Sequence, residues 1–238
     1  SETGAIQPIS KIASIVKSIN PNAVIHTDCV QSYGKLPVMV KQLGCDLLSV
    51  SAHKIHGPRG VGFLYIRSGI RMAPLLCGGG QEWGMRSGTE NLPGIVGLAR
   101  ATQLICGSLK ENYEHAVQLN GIFRKILQEE IRSCIVISAE DRCSPYILNV
   151  AFPGLRAEVI QHSVETKGVY LSVGSACSSH KKDRSQTLTA MGYDPRIIDG
   201  AIRISFSYQN TEEQAGYAAK SICAEVKKLY GRRKGNRA

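Results

Sequence analysis

The chain has 238 residues, of which 43% are hydrophobic and 20% charged, with a formal net charge of +10. That composition excludes whole-chain disorder, and no apolar run approaches the roughly 18–20 residues of a membrane-spanning helix. The length suits one large domain or two modest ones.

Six basic and no acidic residues crowd into positions 227–238. They read as a frayed, solvated tail, with weak attraction to nucleic acid or an acidic partner as the alternative. The opening SETGAIQPIS has neither the basic nor the apolar region of a secretory signal. It also lacks an initiator Met, which points to a processed, trimmed or partial chain. Eight cysteines (29, 45, 77, 106, 134, 143, 177 and 223) form no C-x-x-C pair. A zinc ribbon or thioredoxin-type site is therefore unsupported, and no metal is expected. Cys29, Cys45, Cys106 and Cys223 lie among apolar residues and read as small core hydrophobes. A reducing cytoplasm or organelle matrix is the expected location.

In chain order, apolar spacing over 8–19 predicts a helix, and VIHTD at 24–28 a short strand. DLLSVSA at 46–52 reads as a largely buried strand, GPRG at 57–60 as a turn and VGFLYIR at 61–67 as a third strand. Residues 74–91 are too glycine-rich for a regular element and read as a functional loop. A helical stretch follows over about 93–131, broken near 107–110. Then come a strand at 146–152, a helix at 157–168 ending at Gly168, a strand at 169–176, a short helix at 185–192, a strand at 201–207 and a closing helix at 211–230. This alternation gives an α/β or α+β fold, with a domain boundary near 108.

Two stretches carry chemistry. In HTDCVQ at 26–31, Asp28 ends an apolar strand, where α/β proteins face their ligands. Asp28 also suits a helix N-cap. In SVSAHKIHGPRG at 50–60, Lys54 follows a nearly apolar strand and precedes a tight turn. Partial desolvation there suits a Schiff-base amine, and a snorkelling surface lysine is the alternative. Ser51 and His53 beside it are able to donate to a phosphate.

Asp28-x-x-Gln31 followed by Ser51-Ala52-His53-Lys54-x-x-Gly57-Pro58 resembles the pattern of aminotransferase-like pyridoxal phosphate (PLP) enzymes. The likeness is to their cysteine desulfurase and selenocysteine lyase branch. GGGQEWGMRSGTEN at 78–91 is similar to that family's phosphate-contacting loop, SVGSAC at 172–177 to its catalytic cysteine loop, and IRISFS at 202–207 to its substrate-carboxylate strand. The resemblance spans nearly all of 1–230. It implies an α/β fold-type I PLP-dependent transferase. Residues 1–108 would be the C-terminal part of the large PLP-binding domain, 109–230 a small α+β domain with the cysteine loop, and 231–238 a basic tail.

The same resemblance implies the roles. Lys54 would bond the PLP aldehyde, Asp28 would pair with the pyridinium nitrogen, and Gln31 would bond the phenolic oxygen. Ser51 and His53 would hold the phosphate, and Thr89 would reach the phosphate in a neighbouring subunit, making a homodimer. Arg203 would clamp the substrate carboxylate; read alone, it is a strand-edge surface charge. Cys177 would be the nucleophile; read alone, it is a free structural thiol. The implied reaction takes sulfur from L-cysteine, or selenium from selenocysteine, and releases alanine. Sulfur left as a Cys177 persulfide would pass to an acceptor protein for iron–sulfur cluster or thiolation chemistry. Family chains extend much further at the N-terminus, so this one reads as N-terminally truncated, with an N-terminal chain as a complementing partner. Their Asn-Asn-Glu-x-Gly motif reads Ser1-Glu2-Thr3-Gly4 here, with Ser1 in place of the second Asn.

Overall fold

A computed structural model of the protein describes residues 1–174 and 184–235. Two compact units emerge: Gln7–Leu109, and Ser1–Ile6 together with the chain from Lys110 onward. The first six residues were expected with the first domain, but they pack on the second unit. Their backbone is claimed there: Ala5 bridges to Cys143, Ile6 N–H donates to the Arg142 carbonyl at 2.9 Å, and Ser144 N–H donates to the Gly4 carbonyl at 2.8 Å.

The first unit begins with α1 (Ile9–Ile19), which buries only Ala13. Next come β1 (His26–Asp28), α2 (Val40–Leu43), β2 (Leu47–Ser51), a 3-10 turn (Ala52–Ile55) and β3 (Gly62–Ile66). The sheet order is β1-β2-β3, with β1 and β2 parallel and β3 antiparallel. The expected strand from 24 is shorter because the Ile25 N–H turns aside to the Asp46 carboxylate at 2.9 Å. Asp46 is buried and also meets Lys17 Nζ at 2.9 Å and Arg67 Nε at 3.3 Å. These contacts tie α1 and the end of β3 to the start of β2. Cys29, Cys45, Leu48 and Val50 form one small core beneath the sheet. A second joins Ala52 and Ile55 of the 3-10 turn to Leu98, Ala101 and Ile105 of α3 (Leu92–Gly107). Asn91 caps α3 by accepting from Gly94 N–H at 3.1 Å, with Pro93 in the first turn where its missing N–H costs nothing. The 74–91 segment contains one short 3-10 turn, Glu82–Gly84, absent from the sequence reading.

The second unit contains α4 (Leu109–Glu130), β4 (Ile135–Val136), β5 (Ile147–Ala151), α5 (Ala157–Glu165), β6 (Ser172–Val173), α6 (Gln186–Ala190), α7 (Pro195–Ile198), β7 (Ala201–Ser205) and α8 (Glu212–Gly235). Its sheet order is β4-β5-β7-β6, all antiparallel. Leu148, Val150, Ile202 and Ile204 share one face and meet Leu119, Phe123 and Leu127 of α4, Ile160 and Val164 of α5, and Ala219, Ile222 and Val226 of α8. The opposite face holds Asn149, Ala151, Ala201 and Arg203, and is closed in part by Leu188 of α6 and Ile198 of α7.

Of the expected strand over 169–176, the described residues reach 174, and among them pairing is at Ser172 and Val173. Before it, the Leu171 carbonyl accepts from Gln161 Nε2 at 3.1 Å instead of joining a ladder. β4 and α7 were not foreseen: the first is two residues long, and the second is set by an Asp194 cap on Arg196 N–H at 2.8 Å. α8 continues past 230 to Gly235, so the tail from 231 is helical that far rather than frayed, and Lys227 pairs with Glu130. Cys106 is exposed, against its expected core place. Among the described residues no single helix is long and apolar enough to cross a membrane.

Candidate active site

Strand alternation builds the first group of polar residues. In β2 the side chains of Leu48 and Val50 are buried, so Ser49 and Ser51 face the other way. In β1 Thr27 is buried, and His26 and Asp28 face outward. Asp28 stands beside Ser49 in the parallel ladder, and His26 Nε2 lies 2.6 Å from Ser49 Oγ. One face thus gathers His26, Asp28, Ser49 and Ser51, with Asp28 and Ser51 at the carboxyl ends of two parallel strands. Open α/β sheets bind ligands at such ends.

Beyond β2 the chain tightens into the 3-10 turn. Ala52 and Ile55 are anchored under α3, which leaves His53 exposed and Lys54 half-buried between them. The turn closes with a Gly57 N–H to Ala52 carbonyl bond at 2.9 Å and with His56 in the left-handed region at φ 63°. Lys54 was expected after a strand and before a tight turn; it follows β2 and lies within the 3-10 turn itself. Ser51 Oγ lies 2.8 Å from His53 Nδ1. Asp28 Oδ1 accepts the Val30 N–H at 2.8 Å, which orients the carboxylate; the residues that follow form a turn and not a helix, so Asp28 is no helix cap. Gln31 is half-buried in the turn that follows. Thr89 is exposed at the end of the glycine-rich segment. There Gly88 N–H donates to Gln81 Oε1 at 3.1 Å, and Ser87 N–H to the Leu76 carbonyl at 3.0 Å.

The second unit holds Arg203 in the middle of β7, only 9% exposed, so the surface-charge reading fails. Its ladder neighbours are Asn149 on β5 and Ser172 on β6, and its Nη1 donates to the Ser1 carbonyl at 3.2 Å. Cys177 lies outside the described residues.

The first unit therefore brings together Asp28, Ser51, His53 and Lys54, with Gln31 following Asp28 in the chain. The sequence reading missed His26 and Ser49. Their signal was the period of two, which sets His26 with Asp28 and Ser49 with Ser51.

Residues 1–217 match the aminotransferase class-V family. The chain belongs to that family. It is 41% identical over 229 residues to a Bacillus subtilis protein named a cysteine desulfurase, covering 96% of this chain and 60% of that one. It is 40% identical to a cysteine desulfurase of Sinorhizobium fredii, covering 96% and 58%. A solved NifS-like protein superposes with a TM-score of 0.86 at 40% identity, over 95% of this chain and 58% of that one. The α/β fold is that of this family. The chain spans about 60% of the length of these relatives.

Proposed function

We propose that this chain carries the cofactor-bonding lysine, the sulfur nucleophile and the substrate-carboxylate clamp of a PLP-dependent cysteine desulfurase. The observation that carries the proposal is the convergence at the carboxyl ends of β1 and β2 in a class-V family chain. The donor set there fits PLP by its chemistry: a carboxylate for a ring nitrogen, an amide for a phenolic oxygen, a Ser–His pair for a phosphate, and an amine for an aldehyde. Bound PLP supplies an electron sink for the substrate α-carbon.

This chain's residues do the rest. Asp28, oriented by the Val30 N–H, keeps the ring nitrogen protonated. With His53 Nδ1–H donating to Ser51 Oγ, the Ser51 hydroxyl would be left to donate to a phosphate, and Gln31 would donate to the phenolic oxygen. Lys54 moves a proton at the substrate α-carbon, and the buried Arg203 guanidinium grips the carboxylate through parallel N–H bonds. The Cys177 thiolate attacks the sulfur of L-cysteine, the carbon–sulfur bond breaks, and alanine leaves with a proton gained at carbon. Sulfur stays on Cys177 as a persulfide, to be passed to an acceptor protein for iron–sulfur cluster or thiolation chemistry. Selenocysteine fits the same scheme.

A homodimer in which Thr89 reaches the neighbour's phosphate is supported by the exposed Trp83 and Leu75 on the same segment. Complementation by a further chain, of the kind the longer relatives contain, is supported by the exposed Phe63 and Leu64 of β3. The free state of all seven described cysteines supports a reducing compartment, the cytoplasm or an organelle matrix. The test uses L-cysteine with labelled sulfur on the PLP-loaded protein. Label retained on Cys177 and lost in Cys177→Ser supports the desulfurase reading. Alanine release that persists in Cys177→Ser would instead make the protein another kind of PLP lyase.

A further inference from the structure

Four successive carbonyls at the N-terminus are held by the second unit. Ser1 O accepts from Arg203 Nη1 at 3.2 Å, Glu2 O from Asn149 Nδ2 at 3.2 Å, Thr3 O from Ser138 Oγ at 2.6 Å, and Gly4 O from the Ser144 N–H at 2.8 Å. The middle two holders are themselves joined, because the Asn149 N–H donates to Ser138 Oγ at 2.8 Å. Asn149 and Arg203 face each other across the β5–β7 ladder. Directly opposed residues of an antiparallel pair project to the same face with Cβ atoms about 5 Å apart. Two cross-strand neighbours therefore grip two adjacent peptide carbonyls. Asn149 is 1% exposed and Ser138 also 1%, and neither polar group has water as an alternative partner. A buried polar side chain persists where its bonds specify an arrangement. One Asn149 acceptor, Oδ1, is buried with no hydrogen-bond partner, and so is Oε1 of Glu2. Such atoms carry a cost, and hydrophobic packing alone would have been served better by a leucine.

We infer that Asn149 is a positioning residue for Arg203: by pinning the Glu2 carbonyl it sets the Ser1 carbonyl against Nη1 and so fixes the plane of the guanidinium. An arginine has several rotatable bonds, and bidentate recognition of a carboxylate depends on one orientation of its fork. This inference rests on the proposed role of Arg203 as the carboxylate clamp.

The test compares the PLP-loaded wild type, Asn149→Ala, Ser138→Ala and Arg203→Ala. Amide exchange on the cofactor-free chain is the first readout. Asn149→Ala should raise exchange at residues 2–5 at least tenfold and leave 147–151 and 201–205 protected. In the loaded protein KM for L-cysteine should rise about tenfold while kcat stays within about twofold. Affinity for cysteamine, which has the thiol and amine but no carboxylate, should stay unchanged. Ser138→Ala should show the same split to a smaller degree, which covers the case in which Asn149→Ala does not fold. An unchanged KM alongside a loosened N-terminus would overturn the inference, and so would an equal loss of affinity for cysteine and cysteamine. If Arg203→Ala itself leaves KM unchanged, the failure lies in the clamp assignment beneath it.

Discussion

The two sheets differ in how completely they are covered. The central strand β5 of the second unit is buried at every position, with three helices on one face. In the first unit β3 exposes Gly62, Phe63 and Leu64, and α1 buries a single alanine. One sheet has a core of its own; the other carries the cofactor-type side chains on a scaffold with two small cores. The lesson is a division of labour, in which a firm unit holds Arg203, the proposed carboxylate clamp, and a thinly covered unit holds Lys54, the proposed cofactor lysine.

Four changes would break or sharpen that contrast. The largest effect is expected at Leu148, which is fully buried: Leu148→Ala should destabilise the second unit by about 3–4 kcal/mol in denaturant unfolding. Phe63→Ala, at an exposed position of β3, should cost under about 1 kcal/mol. Comparable costs would erase the contrast. Next come two glycines, Gly200 just before β7 and Gly62 at the start of β3. A Cβ on Gly200 would lie 2.2 Å from the Phe152 carbonyl oxygen, and one on Gly62 would lie 2.3 Å from that of Val50. Gly200→Ala should cost roughly 2–3 kcal/mol, because its neighbours are locked in the core. Gly62→Ala should cost nearer ~1 kcal/mol, because β3 lies at the sheet edge in this chain and has room to move.

Asp46 is the main polar tie of the thin unit. The Lys17 hydrogen bond chiefly, and then the Ile25 N–H, hold its carboxyl below the usual carboxylate value. A lowered folded pKa adds stability above the unfolded value of about 4, and that stability is lost as pH falls through the folded one. Melting of the first unit should therefore steepen below about pH 4, and Asp46→Asn should cost ~2 kcal/mol at neutral pH and flatten that dependence. The smallest effect concerns thiols. Burial pushes the Cys134 thiol up to about 12, and burial with the Glu130 charge pushes Cys223 up to about 11. Both should alkylate far more slowly than the exposed Cys77 and Cys106 in the native protein. Mass spectrometry of a timed alkylation checks this order.

Much of this architecture was legible in the sequence because strand period and strand-end chemistry are local. β2, β3, β5 and β7 announce themselves by apolar runs, Asp28 by ending the short β1 and Lys54 by following β2. What escaped was decided by distant partners. The 24–28 strand is shortened by Asp46, more than twenty residues away. The capture of residues 1–6 depends on Ser138, Asn149 and Arg203, which no window around Ser1 contains. The burial of Arg203 was hidden for the same reason, since a charged residue in a strand reads as an edge until its cover is known. The 3-10 turn around Lys54 required α3 beneath it.

The most direct measurement is PLP titration of the purified protein, then borohydride reduction and peptide mass mapping. A reduced cofactor adduct on the peptide containing Lys54, lost in Lys54→Ala, is the predicted result. An adduct spread over surface lysines, with Lys54 unmodified, would contradict the placing of the cofactor at the carboxyl ends of β1 and β2.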